Sequence, residues 1–442
     1  MGGGRTFRLG GIHPPEEKHR TAGRPVEEAP LPERLVVPLS QHIGAPARPV
    51  VKKGDRVLAG QKIGEPVGFV SVPVHAPTSG RVVAVEPAPH PLGTPQPAVV
   101  IEPDGEDRWS EDLPPLPDPF GAGPDAVRTR ILEAGVVGMG GATFPTHVKL
   151  SPPPEVRIDT VILNGAECEP YLTADHRLMV EDPEAVLNGL RVILGLFGLE
   201  RGYVGVEQNK PDAIERLKGV GAAWAEVVPL AVKYPQGAEK QLIQAIAGRE
   251  VPSGALPMAV GAVVQNVGTA AALWAAVSRG RPLVERIVTV TGPGVREPRN
   301  LRVRVGTPAA HLIERCGGLA DEPGEVIFGG PMMGLAQATL EVPVIKGTSG
   351  ILVLPRRMVR TRPEGACIRC GRCVDACPMG LSPTTLRALA VNEDVAGADE
   401  WGALDCIECG SCAYVCPAAL RLVQWIRYAK GRVMARRRKA GG

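Results

Sequence analysis

The sequence predicts a multidomain α/β protein, and three observations predict it. Short β-like runs with turn punctuation fill residues 35–102. Strand-like apolar runs then alternate with amphipathic helical stretches from 125 to 284. The last quarter of the chain carries eight of its ten cysteines, in two copies of one pattern.

At 442 residues the chain should hold roughly three or four domains of about 100–200 residues each. A hydrophobic content of 44% and a charged content of 22% belong to a globular protein able to bury real cores. The net charge of +3 gives no case for a nucleic-acid partner. The opening Met1-Gly-Gly-Gly-Arg-Thr-Phe7 lacks the apolar core of a signal peptide. The most apolar long stretch, 258–277, is interrupted by Gln265 and Asn266 and falls short of the ~20 clean apolar residues of a membrane span. Membrane association is therefore expected only through partners.

Residues 1–34 read as an arm. Gly10 to Pro32 is polar and proline-rich, with Gly11-Ile-His13-Pro-Pro15-Glu-Glu-Lys18 as its most distinctive piece, and pre-proline restrictions predict extended backbone. His13 and His19 are expected to be ordinary solvated residues. From 35 to 112 the chain reads as an all-β unit whose halves echo one another, Val51-Lys-Lys-Gly54-Asp55 to Gly64 and His75-Ala-Pro77-Thr-Ser79-Gly80 to Val85. This resembles the biotinyl/lipoyl-type barrel-sandwich. The hairpin between the halves, Val67 to Val74, has no lysine to modify, so the unit is expected to dock rather than carry a swinging arm.

Proline-rich Leu113 to Pro124 reads as a linker. A three-layer α/β domain is expected over 125–284. It opens with a helix from Asp125 to Ala134, followed by the loop Gly135-Val-Val-Gly138-Met139-Gly140-Gly141-Ala142-Thr143-Phe144-Pro145. That loop fails the ordinary dinucleotide test, because it follows a helix and runs into Phe-Pro. Clustered glycines still let backbone N–H groups approach a phosphate or a flat ring closely. Strand-like Thr160 to Leu163 then leads into Asn164-Gly165-Ala166-Glu167-Cys168-Glu169-Pro170-Tyr171. Polar groups at the end of a buried strand are where α/β folds build ligand sites. Tyr203 to Val206, Tyr234-Pro-Gln236-Gly237-Ala-Glu239-Lys240 and Gln265-Asn266 follow, with helices expected at 182–195, 211–217 and 239–247. Residues 285–350 read as a small β-grasp unit with a helix at 309–315 and a strand at 326–328.

Residues 355–430 hold the cysteines, with a helix at 383–391 between the two runs. Cys367-x2-Cys370-x2-Cys373-x3-Cys377-Pro378 is repeated as Cys406-x2-Cys409-x2-Cys412-x3-Cys416-Pro417. Each is the run that wraps a cubane iron–sulfur cluster in bacterial ferredoxins, where the fourth cysteine of one run ligates the other cluster. Three thiolates two residues apart on a tight loop reach three corners of one cube, and the proline turns the fourth away. One [4Fe–4S] cluster is therefore assigned to Cys367, Cys370, Cys373 and Cys416, the other to Cys406, Cys409, Cys412 and Cys377. A disulfide framework would suit a small secreted chain, and zinc sites use paired C-x2-C without the third and fourth cysteine and proline. Cys168 and Cys316 are expected to pack as small residues. After a helix near Leu420 to Tyr428, residues 431–442 form a basic tail.

The order Gly-rich loop, Asn-x-x-Glu-x-Glu-Pro, Tyr-x-x-Gly-x-Glu and Gln-Asn resembles the flavin-binding subunit of respiratory complex I. With Gly-Gly-Ile-His-Pro-Pro and the paired cysteine runs, the chain resembles more closely the C subunits of Rnf-type ion-translocating ferredoxin:NAD oxidoreductases. The resemblance covers about Phe7 to Tyr428. It implies that Gly138, Gly140, Gly141 and Lys149 cradle the phosphate and ribityl chain of FMN. Asn164, Glu167, Tyr234, Gly237, Gln265 and Asn266 would line the rest of the flavin site, with Phe144, Glu169 and Glu239 near NADH. Met139, Thr143, Ala166 and Ala238 depart from the complex I pattern, which bears on nicotinamide binding more than on the flavin. The β-grasp unit resembles the soluble-ligand-binding domain of the same family and is expected to be scaffold. No catalytic acid or base is nominated, because hydride transfer needs stacking of nicotinamide on flavin.

The implied function is electron input, passing electrons between NADH, FMN and two [4Fe–4S] clusters. Its partners would be the other subunits of a membrane redox complex, with ferredoxin reached indirectly, at the cytoplasmic face of the membrane. Two alternatives stand beside it. One is a soluble cobalamin reductase of the same family; the other is an electron-wire subunit that binds neither flavin nor NADH.

Overall fold

The structure is a computed structural model that describes residues 4–141, 143–359 and 362–440. The arm is largely extended, as expected, but it is tied down by a 3-10 turn at Lys18–Arg20 and a short strand, β1 (Val26–Glu28). Two small sheets follow. One is made of β2 (Leu35–Pro38), β4 (Arg56–Val57), β7 (Gly80–Ala88) and β8 (Gln96–Pro103); the other of β3 (Arg48–Pro49), β5 (Lys62–Glu65) and β6 (Val74–His75). Leu35, Val37, Ile63, Val82, Val99 and Ile101 fill the space between the sheets. The β5–β6 hairpin presents Phe69, 68% exposed, and no lysine.

The linker 113–124 is not free. Leu116 N–H donates to Val277 O (2.8 Å), and Phe120 stacks on Trp274 with centroids 5.2 Å apart.

The α/β domain contains, in order, α1 (Pro124–Glu133), α2 (Thr146–Lys149), β9 (Thr160–Gly165), α3 (Ala174–Glu181), α4 (Pro183–Phe197), β10 (Gly202–Glu207), α5 (Pro211–Gly219), β11 (Ala225–Leu230), α6 (Glu239–Ala247), β12 (Ala262–Asn266) and α7 (Val267–Arg279). Its sheet is wholly parallel, in the order β11-β10-β9-β12. Both faces are covered, which is why β9 reads as an unbroken apolar run. Val161 and Leu163 enter the core under α4 and α7, while Ile162 enters the core under α6. The apolar stretch 258–277 is divided into a 3-10 turn (Pro257–Val260), β12 and α7. Asn266 makes that division, since its side chain accepts from Gly268 N–H and Thr269 N–H and caps α7. All four strands end at one edge of the sheet, and the polar motifs lie there.

Next come β13 (Glu285–Thr291), β14 (Arg299–Arg304), α8 (Ala309–Arg315), β15 (Pro323–Phe328), β16 (Leu335–Ala336) and β17 (Gly350–Pro355), in a sheet ordered β1-β14-β13-β17-β15-β16. The sheet is larger than the expected 285–350 unit. β17 lies beyond that boundary, in register with β13 and β15. The arm's β1 adds in parallel beside β14, and Glu28 pairs with Arg302 across the edge (3.0 Å). A strand of sequence Val-Glu-Glu has no apolar alternation, so only its cross-strand arginines mark it.

The cysteine-rich segment is helical, with α9 (Arg372–Asp375), α10 (Pro383–Val391), α11 (Val395–Glu400), α12 (Ser411–Tyr414) and α13 (Leu422–Ala440). The basic tail is the last part of α13, and Arg437 pairs with Asp399 (2.7 Å). No described helix is long and apolar enough to cross a membrane.

Candidate nucleotide and cluster sites

Four segments meet at the carboxyl edge of the parallel sheet. The Gly-rich loop closes on itself through Gly138 N–H donating to Phe144 O (2.8 Å), and Met139 N–H donates to Thr269 Oγ1 (2.9 Å). Gly140 lies against Asn266, where a Cβ would come 3.3 Å from the asparagine's own Cβ. Gly141 has φ +130° with open space where a side chain would be, a conformation that favours glycine. Asn164 Nδ2 donates to Gly237 O (2.8 Å), and Lys149 forms an ion pair with Glu239. The expected Gly138, Gly140, Gly141, Phe144, Lys149, Asn164, Gly237, Glu239, Gln265 and Asn266 therefore stand in one neighbourhood. Gln265 is 2% exposed, and its buried Nε2 has no partner among the described residues. An unmet donor beside a glycine cradle fits a bound ring or phosphate that accepts a hydrogen bond.

Glu167 is committed to the protein. Its carboxylate accepts from Asp175 N–H (2.8 Å) and His176 N–H (3.1 Å), so it caps α3 from outside the helix. Asn266 Nδ2 donates to Asp175 Oδ2 (2.6 Å). Burial, and then the nearby Glu167 charge, push the Asp175 carboxyl up to about 7. Sequence reasoning passed over Asp175, and over Lys18 of the arm. Lys18 Nζ donates to Glu167 O (2.8 Å), Glu169 O (2.9 Å) and Leu172 O (2.6 Å), gathering the loop after β9 from 150 residues away. That loop needs the brace, because Glu167 (φ 44°) and Tyr171 (φ 70°) both sit in the left-handed region. Lys18 had one sequence signal, its place in the Gly-Gly-Ile-His-Pro-Pro arm.

Two expected residues face elsewhere. Glu169, expected near NADH, points into the β-grasp unit, where its carboxylate accepts from Met332 N–H (3.1 Å) and Met333 N–H (2.8 Å). Its carboxyl lies under Gly330, and burial pushes it up to about 7. Tyr234, expected in the flavin wall, is buried, and its hydroxyl donates to the Cys409 carbonyl (2.8 Å). It packs with Ile12, Ala376 and Cys409, beside Met332 and Ile407. Tyr234 thus joins the α/β domain to the cysteine segment.

Cys377, Cys406, Cys409 and Cys412 line one small cavity closed by Ile407, Val423 and Ile426, which is the crossed set the two runs predict. Burial raises the Cys373 thiol, and the charge of Cys416 adds to the rise, which brings the fourth cysteine of the second run close to the first in the same crossed manner. Among the described residues no three His, Cys, Asp or Glu side chains converge on a single metal ion. Burial pushes the Cys406 thiol up to about 11 and raises Cys409 and Cys412, so these thiols would lose their protons to a metal rather than to water. Leu381 N–H points at Cys377 Sγ, Glu408 N–H at Cys406 Sγ, and the Ser411 hydroxyl lies against Cys409 Sγ, each at 3.4 Å. Hydrogen bonds to ligand sulfurs tune a cluster's potential.

Four family models match in the order of these units. They are the RnfC barrel sandwich hybrid domain (6–106), the Nuo51 FMN-binding domain (131–275), the SLBB domain (287–336) and the 4Fe-4S dicluster domain (360–417). The chain is 50% identical over 99% of its length to the C subunit of a proton-translocating ferredoxin:NAD(+) oxidoreductase complex of Clostridium ljungdahlii, covering 96% of that protein. It belongs to the family of C subunits of ion-translocating ferredoxin:NAD oxidoreductases. The C subunit of the Na(+)-translocating complex of Acetobacterium woodii is 51% identical, with 98% of each chain covered. The C subunit of an ion-translocating oxidoreductase complex of Rhodobacter capsulatus is 48% identical over 97% of this chain and 83% of its own. A crystal structure of an NAD+-reducing [NiFe]-hydrogenase shares the fold, with TM-score 0.51 and 19% identity over 72% of this chain and 64% of that one.

Proposed function

We propose that this member of the family is the electron-input module of a membrane-bound ion-pumping complex, exchanging electrons between NADH and the other subunits. Bound FMN supplies two-electron exchange with nicotinamide, and the two [4Fe–4S] clusters accept electrons singly. The chain's own residues bind and orient. Gly138, Gly140, Gly141 and Lys149 would hold the flavin phosphate and ribityl chain. Asn164, Gly237, Gln265 and Asn266 would present donors and backbone to the ring, with Phe144 and Glu239 beside the nicotinamide. Glu167 and Lys18 hold that wall in place rather than touch the cofactor.

One observation carries the reading. The segment Tyr234–Glu239 ends on the nucleotide site through Gly237 and Glu239, and begins on a cysteine ligand's peptide through Tyr234. Six residues therefore span flavin and cluster, and electron transfer between centres falls steeply with distance. The chain would sit at the cytoplasmic face of the membrane, held there by partner subunits, with ferredoxin reached through them. Reconstituted protein is expected to retain FMN together with iron for two four-iron clusters. Retention of iron without flavin would leave only an electron wire and would refute the nucleotide-site assignments.

A further inference from the structure

The two cysteine runs differ in how far the protein closes around them. Cys367 and Cys370 are exposed, whereas their counterparts Cys406 and Cys409 are half-buried and buried. Around the second run the protein closes in. Tyr234 bonds the Cys409 carbonyl, Met332 O crowds Gly410, and Glu408 is held by Arg427 (2.6 Å) and Lys430 (2.7 Å). Around the first run it stays open. Ile368 is 68% exposed and Val374 41%. Arg369 stands where the second run has Glu408, and Arg372 where it has Ser411.

Arg362, Arg369 and Arg372 are exposed, and their side chains make no hydrogen bond or ion pair to a described residue. The face holds two acids. Asp375 ends α9, and Glu364 is already held by Arg387 (3.0 Å) and by Arg421, whose N–H it accepts (2.6 Å). The stretch 362–375 therefore carries three unpaired arginine side chains, two carboxylates, two exposed apolar side chains and two exposed cysteine ligands. Unpaired surface arginines gain little for folding, but they steer an oppositely charged partner, and an apolar centre gives the encounter a dry contact.

We propose that this face is the electron exit and docks a small acidic protein domain whose own one-electron centre lies at its surface within a rim of carboxylates. The inference rests on the electron-input reading and gives it a direction: nucleotide site, then the Cys406 run, then the Cys367 run, then the partner. Exposed Cys367 and Cys370 would hold their cluster at this surface, where it would supply one electron to the partner's centre. No bond forms or breaks, and no proton moves.

The test measures binding on oxidised, reconstituted full-length protein without NADH, using an oxidised two-cluster bacterial ferredoxin as the acidic probe. At low salt R369E/R372E is expected to weaken binding at least about tenfold, within the 10–10³ range of electrostatic steering. The difference should vanish near roughly 0.3 M salt, where the screening length has fallen below its value of about 8 Å at physiological salt. I368E should weaken binding at both salts, and K53E on the barrel-sandwich should do nothing. Iron content must be unchanged in the double variant; if it is not, R369Q/R372Q takes its place. Equal affinity of the wild type and the substituted protein at low salt overturns the proposal. So does a loss confined to phosphatidylglycerol vesicles, which would make this a membrane-facing surface. Failure of NADH to bleach the flavin in wild type would refute the electron-input reading while leaving the binding result intact.

Discussion

Glu169→Gln isolates a buried carboxylate that the structure moves out of the nucleotide site. Burial lifts the Glu169 carboxyl from 4.5 to about 7, despite two backbone N–H donors that favour its charged form. A raised acid pKa makes its stabilising contribution at low pH and loses it as pH climbs through the native value. Integrating over a shift of about 2.5 units, the wild type should lose about 2.5 kcal/mol from this group between pH 5 and pH 8. Gln cannot ionise, so E169Q escapes that loss, although it exchanges one N–H acceptor for a donor at the Met332–Met333 loop. The melting temperature of E169Q minus that of wild type should therefore be more positive at pH 8 than at pH 5. At about 2–4 °C per kcal/mol for a unit of 150–250 residues, the change is about 5–10 °C. Anaerobic calorimetry on the loaded protein at both pH values measures it. A difference that stays flat from pH 5 to pH 8 would refute a buried, uphill-titrating Glu169.

Further outcomes follow from the sites. C377S should strip the fourth ligand from the cluster of the Cys406 run, and C416S from that of the Cys367 run, so EPR of each variant should lose the signal of the opposite run. Loss of the variant's own run's signal would contradict the crossing. S411A removes the hydroxyl beside Cys409 Sγ and should lower that cluster's potential by about 20–60 mV, one net hydrogen bond at 59 mV per tenfold. A redox titration showing no shift would place the hydroxyl outside the cluster's influence. K149M should weaken FMN binding by about 10–150-fold, the equivalent of one charge-assisted hydrogen bond. Fluorescence titration of flavin into cluster-loaded apoprotein would expose an unchanged Kd, which would exclude Lys149 from the phosphate site.

The grouping of the cysteines was legible in their spacing, since the cavity brings Cys377 among Cys406, Cys409 and Cys412 as the crossed assignment expects. Several helices were legible to within a turn. α6 and α8 begin and end as expected, and α4 starts at its Asp182 cap, whose side chain accepts from Ala185 N–H (3.0 Å). Loop side chains were not legible. After β9 the left-handed residues Glu167 and Tyr171 break the strand's alternation, so neighbours in a single motif part company: Asn164 meets Gly237 while Glu169 turns to Met333. Tyr234 kept its place in the chain motif but turned toward another domain. Contacts such as Lys18 with Leu172, or β1 with β14, depend on partners 150 and more residues away. Residue type gives no hint of them when the strand is Val-Glu-Glu or the lysine sits in a polar arm.

Anaerobic addition of NADH to reconstituted protein, followed by flavin absorbance and rapid-freeze EPR, tests electron input most directly. Flavin bleaching should be followed by reduced-cluster signals, first from the cluster of the Cys406 run and then from that of the Cys367 run. Iron for both clusters with no flavin bleaching and no NADH-driven signal would contradict the account and leave a chain that only relays electrons.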